Sequence, residues 1–369
     1  DGRTRDGALQ TGSARRERRA AEPKRRPIGR RSAPAAAAAA AATAAAAAAV
    51  ASARRASGQP ADGRMAAALA RRNGVAWTWR RLCSALGAEV QPRTLLVCAH
   101  ANGFCKEMWQ PIWDRLSLRQ DLGEVIALAL DLPGHGSSAK FDTPLNLEVF
   151  GSAVLSAMDD FRATKGSEEL KFDFVVGLGH SIGSTSLLYA EDLRPAAFSS
   201  LCLIEPILIK PRPSPMRTNP LAEATLKRRC TFASRQEAFD NYTGKGAYKH
   251  WQPEQLRLFV DSALVANADG RVQLKCDPEQ EAEVYVAPTP IIERVSSIMC
   301  PVTVLNASPS NGHVPAERAL ENFRNFGNPR ALEILPNCTH FMPMEIPDIV
   351  ANRVAGHLLD TIHMRVARL

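Results

Sequence analysis

A chain of 369 residues with a formal net charge of +8 reads at first as a basic protein, but the charge is not spread evenly. Residues 1–64 hold 14 of the 46 Lys and Arg and only 5 of the 38 Asp and Glu, which leaves 32 basic against 33 acidic residues beyond them. A segment so near neutrality excludes a nucleic-acid interface built on a basic face, and its length allows one α/β core carrying an insertion.

Residues 1–64 have no apolar periodicity. They combine Arg15-Arg16-Glu17-Arg18-Arg19, Lys24-Arg25-Arg26 and Arg30-Arg31 with an alanine tract from 35 to 49 broken only by Thr43. Such a composition buries no core, and alanine is too weakly apolar to hold a membrane span. A disordered extension is expected, and its Arg-rich, acid-poor stretch is similar to an organellar transit peptide. The competing expectation is a leader outside the native protein, with Met65 as the true start. The cysteines, Cys83, Cys98, Cys105, Cys202, Cys230, Cys276, Cys300 and Cys338, form no C-x-x-C, and several sit inside apolar runs. They are expected as reduced core thiols in an intracellular compartment.

The predicted elements follow in order. Residues 94–99 form a strand-like apolar run that ends in His100-Ala101-Asn102-Gly103-Phe104, and residues 124–130 form another that ends in Asp131-Leu132-Pro133-Gly134-His135-Gly136-Ser137. A third run, 172–178, leads into Gly179-His180-Ser181-Ile182-Gly183, and the segment after it has helix length with no Pro or Gly from 185 to 191. Strand, G-x-S-x-G turn and helix in that order make a nucleophile elbow, whose glycines let a sharp turn lift the Ser181 hydroxyl clear of the sheet. A strand at 201–204 is followed by Glu205-Pro206-Ile207. Helical patterns then recur at 221–229, 235–241 and 253–267, broken by Pro211, Pro213, Pro215, Gly244-Lys245-Gly246 and Asp269-Gly270. Strands at 302–305 and 331–335 come next. The second leads into Asn337-Cys338-Thr339-His340-Phe341, and Pro347 opens an amphipathic helix.

Over about residues 75–365 these segments resemble the α/β-hydrolase superfamily. Within it they are similar to the bacterial-type serine hydrolases that carry H-A-x-G-F, G-H-S-x-G, E-P-I and T-H-F-x-P-x-E. The resemblance implies an α/β-hydrolase fold, a mostly parallel sheet flanked by helices with a helical cap inserted between strands 6 and 7. The core would then occupy 65–210 and 297–369, and the cap 211–296. It also implies a catalytic set of Ser181 as nucleophile and His340 as base, because a serine without an adjacent base is inert. The oxyanion hole would use the backbone N–H groups of Ile182 and Asn102, with the Asn102 side chain as an additional donor. A plain turn at Asn102-Gly103 is the other reading of that loop.

The acid departs from the common pattern. The loop after strand seven reads Asn306-Ala307-Ser308-Pro309-Ser310-Asn311-Gly312-His313, with no carboxylate before Glu317. Glu205 at the end of strand six is the expected acid, a placement that resembles haloalkane dehalogenases. Those enzymes and epoxide hydrolases use an aspartate nucleophile, so Ser181 argues against both activities. A structural carboxylate capping nearby amides is the other reading of Glu205. His100 and His135 are expected to hold the oxyanion loop and its neighbouring turn, and His180 to pack beneath the elbow. His250, His313, His357 and His363 are expected as surface or core histidines.

The expected function is hydrolysis of a carboxylic ester, of a lipid or acyl thioester among them, through an acyl-enzyme. The alternatives are a C–C bond hydrolase or lyase using the same residues, and a catalytically weak small-ligand-binding protein. No cofactor or metal is implied, and the expected partner is a small-molecule ester. Lys227-Arg228-Arg229 and Lys245 would either meet an anionic acyl carrier such as coenzyme A or form a solvated face. Ala367-Arg368-Leu369 follows the small, basic, leucine pattern of a peroxisomal address, so an import receptor is a further expected partner. A frayed helix end is the other reading of that tripeptide, and a cytoplasmic or other organellar location the alternative address.

Overall fold

The computed structural model describes residues 74–83, 92–165, 171–208, 219–308 and 315–366. In chain order the first half holds β1 (Trp77–Cys83), β2 (Arg93–Ala99), α1 (Gln110–Leu116), β3 (Glu124–Leu130), α2 (Glu148–Lys165), β4 (Phe174–His180), α3 (Ile182–Leu193) and β5 (Ser200–Ile204). The next stretch holds α4 (Pro220–Lys227), β6 (Thr231–Phe232), α5 (Arg235–Tyr242), α6 (Pro253–Ala263), β7 (Leu264–Ala266), β8 (Val272–Leu274) and α7 (Pro278–Val286). The chain closes with β9 (Val302–Ala307), α8 (Ala316–Arg324), β10 (Pro329–Leu335) and α9 (Pro347–Val366).

Apolar runs without polar alternation belong to strands buried on both faces, and here they make a seven-stranded sheet in the order β1-β3-β2-β4-β5-β9-β10. Every neighbouring pair is parallel except β1 with β3. Side chains alternate between the faces, so Leu95 and Val97 of β2 pack towards α2 and α3 while Leu96 and Cys98 pack towards α1 and α9. The expected strands at 94–99, 124–130, 201–204, 302–305 and 331–335 all appear, each within two residues of the bounds read from sequence. This is the α/β-hydrolase arrangement, with each parallel strand delivering its C-terminal end to one edge of the sheet.

The stretch between β5 and β9 is more than helical. The pattern at 253–267 reads as one helix, but α6 stops at Ala263, and Leu264–Ala266 pairs antiparallel with β8. The reason is the turn that follows: Asn267 N–H donates to Arg271 O at 2.7 Å, Gly270 N–H to Asn267 O at 3.0 Å, and Gly270 takes φ 81°. A hairpin there fixes its flanks as strands. With β6 on the far side of β8 this makes a three-stranded sheet. Helix α7 was not expected; Pro278 at its first position and the Asp277 carboxylate, which accepts from Glu279 N–H at 3.0 Å, start it.

On α9, His357 is a core residue. Its Nε2 lies 2.9 Å from Ser200 Oγ and its Nδ1 3.1 Å from Thr303 Oγ1. Burial pushes its pKa down to about 3, with Arg330 nearby acting in the same direction. Burial also lowers His100 and His135, each to about 4. An unfolded histidine titrates at about 6.5, so below that pH the unfolded chain binds protons that the folded chain refuses. Stability therefore falls as pH drops from there towards the folded values. The thermal midpoint is expected to decline between about pH 7 and pH 4.5, less steeply in His357→Gln. A flat profile in the parent protein would contradict this.

Candidate active site

Ser181 joins β4 to α3 at φ 57° and ψ −123°, a region that L-residues avoid and that is held only where the surroundings impose it. Ser181 N–H donates to Ile204 O at 2.8 Å, tying the elbow to the end of β5. The two motif glycines have plain steric causes: a Cβ on Gly179 would strike the backbone of Ser184, and one on Gly183 would strike the carbonyl of Ala99. The serine itself is buried, with 6% of its surface exposed.

Glu205, one residue past β5, also takes a positive φ, 45°. That twist turns its carboxylate, wholly buried, towards the end of β9 and the His340 loop. Ala307 N–H at the end of β9 donates to Oε1 at 2.7 Å, and His340 Nδ1 lies 2.8 Å from Oε2. Strand β9 thus contributes a backbone amide that anchors the carboxylate of its neighbour. Ser310, Asn311 and His313 lie outside the described residues, and Glu317 is exposed on α8.

The loop bearing His340 is itself fixed. Glu345 accepts from Thr339 N–H and Thr339 Oγ1, both at 2.6 Å, which accounts for the Thr and Glu of T-H-F-x-P-x-E. His180 Nε2 lies 2.8 Å from His340 O, and the two rings are 5.1 Å apart between centroids. The structure therefore gathers Ser181, Glu205 and His340 at the C-terminal edge of β4 and β5.

Asn102 and Gly103 sit on the loop after β2. Among the described residues, no protein acceptor takes the backbone N–H of Asn102 or of Ile182. The Asn102 side chain is already engaged: Nδ2 donates to Glu281 O on α7 at 3.0 Å, and Oδ1 lies 2.9 Å from His135 Nε2. His100 accepts from Leu132 N–H on Nε2 at 3.0 Å, so its Nδ1–H donates to Ala101 O at 2.8 Å. The loop is further pinned by Asp131, which accepts from Lys106 N–H at 2.7 Å and pairs with Lys106 Nζ at 2.8 Å. Burial alone would depress the Lys106 ammonium, but Asp131 and Glu107 beside it hold its pKa above the ordinary value.

An aromatic group spans this loop and the stretch between β5 and β9. Phe104 lies 5.4 Å from Trp251, 5.7 Å from Phe259 and 6.1 Å from Phe341, between ring centroids. Phe341 follows His340, so apolar surface borders the site on that side. The basic run of the inserted stretch divides: Arg229 pairs with half-buried Glu237 at 2.7 Å, Lys227 is exposed, and Arg228 turns inward to Glu281. The sequence names Ser181, Glu205 and His340 as the expected set but gives no sign of the roles of Glu281, Asp131 and Glu345, whose contacts with Asn102, Lys106 and Thr339 spacing does not reveal.

Residues 96–353 match the model of the alpha/beta hydrolase family, and the chain belongs to that family. It is 24% identical over 304 residues to the peroxisomal membrane protein LPX1 of Saccharomyces cerevisiae, spanning 73% of this chain and 76% of that one. The solved structure of that yeast protein, described as a peroxisomal alpha-beta-hydrolase, superposes at a TM-score of 0.67 with 22% identity, over 79% of this chain and 83% of the other. An esterase from Mycobacterium tuberculosis superposes at 0.53 with 20% identity, over 78% and 89%. No helix among the described residues is long and apolar enough to cross a membrane.

Proposed function

We propose that the chain is a serine hydrolase that cleaves carboxylic esters, acyl thioesters included, through an acyl-enzyme on Ser181. The observation that carries this reading is the 2.8 Å contact between His340 Nδ1 and the buried Glu205 carboxylate beside the strained elbow. A histidine held through Nδ1 keeps Nε2 for the nucleophile. Ser181 Oγ attacks the carbonyl carbon as His340 takes its proton, and the N–H groups of Asn102 and Ile182 receive the oxyanion. Collapse expels the alcohol or thiol, protonated by His340, and a water repeats the sequence to release the acid. The stretch between β5 and β9 serves as the cap that excludes water, and the aromatic group around Phe104 favours an apolar acyl part. The geometry around Glu205 supports catalysis over simple ligand binding, and esterase neighbours support hydrolysis.

The test is a screen of the purified protein against acyl esters and thioesters of increasing chain length, with a β-diketone in parallel. Turnover of esters with an initial burst is expected. Cleavage of the β-diketone alone would move the reading to a C–C bond hydrolase.

The reading extends to location. Ala367-Arg368-Leu369 lies outside the described residues, and its support is the small, basic, leucine pattern together with a relative named as peroxisomal. A fluorescent reporter carrying the last ten residues is expected to collect in peroxisomes; a diffuse cytosolic signal would count against import.

A further inference from the structure

A buried carboxylate lies against the loop that carries one of the proposed oxyanion donors. Glu281 is 3% exposed, and a Cβ on Gly103 would lie 2.8 Å from its Oε1, so the carboxylate rests on the loop that carries the Asn102 N–H. Its main-chain carbonyl already receives Asn102 Nδ2. An anion at this range opposes an oxyanion held by the same loop, and low-dielectric surroundings strengthen that opposition.

Among the described residues, one cation answers it. Arg228, at the end of α4, meets Glu281 in a two-pronged pair, Nη1 to Oε1 at 3.1 Å and Nη2 to Oε2 at 2.5 Å. Burial by itself would lower the Arg228 pKa; the adjacent Glu281 outweighs it and holds the guanidinium charged. Among the described residues, the other titratable groups near Glu281 are Tyr242, Tyr248, Tyr285, Cys276 and His135. The tyrosine and cysteine groups have pKa values raised by burial, and His135 is lowered to about 4, so all are neutral near pH 7 and none replaces the guanidinium.

We infer that Arg228 is a positioning residue for catalysis: it neutralises Glu281 so that this carboxylate braces the oxyanion loop without repelling the oxyanion. The inference rests on the acyl-enzyme reading. It explains why one arginine of a basic run turns inward, and it predicts an electrostatic signature that packing alone does not produce.

The experiment measures phosphonylation of the full chain by a fluorophosphonate, a reaction that also sends an oxygen into the hole. Arg228→Met is expected to lower the maximal rate at about pH 8 by at least about tenfold, with little change in probe affinity. The double variant Arg228→Met with Glu281→Gln is expected to regain most of the rate, and Arg228→Lys, which keeps the charge but not the two-pronged geometry, to fall between Arg228→Met and the parent. A double variant as slow as Arg228→Met overturns the inference in favour of packing. If Arg228→Met fails to fold, the double variant and Arg228→Lys decide: a large loss in both overturns it. A parent protein that takes no label at Ser181 removes the acyl-enzyme reading, and the inference with it; a labelled parent with unaffected variants removes the inference alone.

Discussion

Glu205→Gln is expected to lower kcat for an activated ester by about ten-thousand-fold with little change in KM, since that is the scale of loss when the carboxylate orienting a catalytic histidine becomes an amide. The physical cause is specific here. One carboxylate oxygen, Oε1, accepts from Ala307 N–H at 2.7 Å, and the other, Oε2, lies 2.8 Å from His340 Nδ1. An amide at this position presents either its oxygen or its nitrogen to each donor, and it brings no charge to stabilise the imidazolium. Ser310→Ala and Asn311→Ala, in the loop after β9, are expected to be mild. Near-full activity in Glu205→Gln, or a severe loss in Ser310→Ala, would shift the acid to another residue. Circular dichroism and thermal melts separate this from unfolding.

Ser181→Ala is expected to have an effect at least as large, leaving only the residual rate that binding and an oxyanion hole provide over water. The substitution removes one oxygen and keeps the Cβ, so the strained turn and the close approach of Gly183 to Ala99 persist and the far-UV spectrum should not change. Retention of most activity would remove Ser181 from the chemistry.

Much of this site was legible because its parts are local. The elbow is five consecutive residues whose glycines are demanded by backbone contacts, and His340 follows a strand in a short loop. Glu205 was legible by a different route, a carboxylate at the end of one strand combined with a neighbouring loop that offers none before Glu317. Its φ of 45° was not, because nothing in Glu-Pro-Ile announces a left-handed residue. The parallel strands showed as unbroken apolar runs, whereas β1, with Arg80 and Arg81 in its middle, hid as the antiparallel edge. In the sequence, strand β7 continues the pattern of α6, since three residues do not separate a period of two from one of 3.6. Least legible were the ties of the oxyanion loop. Asn102 meets Glu281, 179 positions away in the chain, through a contact that only the folded insertion creates.

The most direct test of the central claim is the mass of the intact protein after reaction with a fluorophosphonate, followed by peptide mapping. The account predicts a single covalent adduct on the peptide that bears Ser181, absent from Ser181→Ala and formed far more slowly in Glu205→Gln. An unmodified protein, or an adduct that persists in Ser181→Ala, would contradict it.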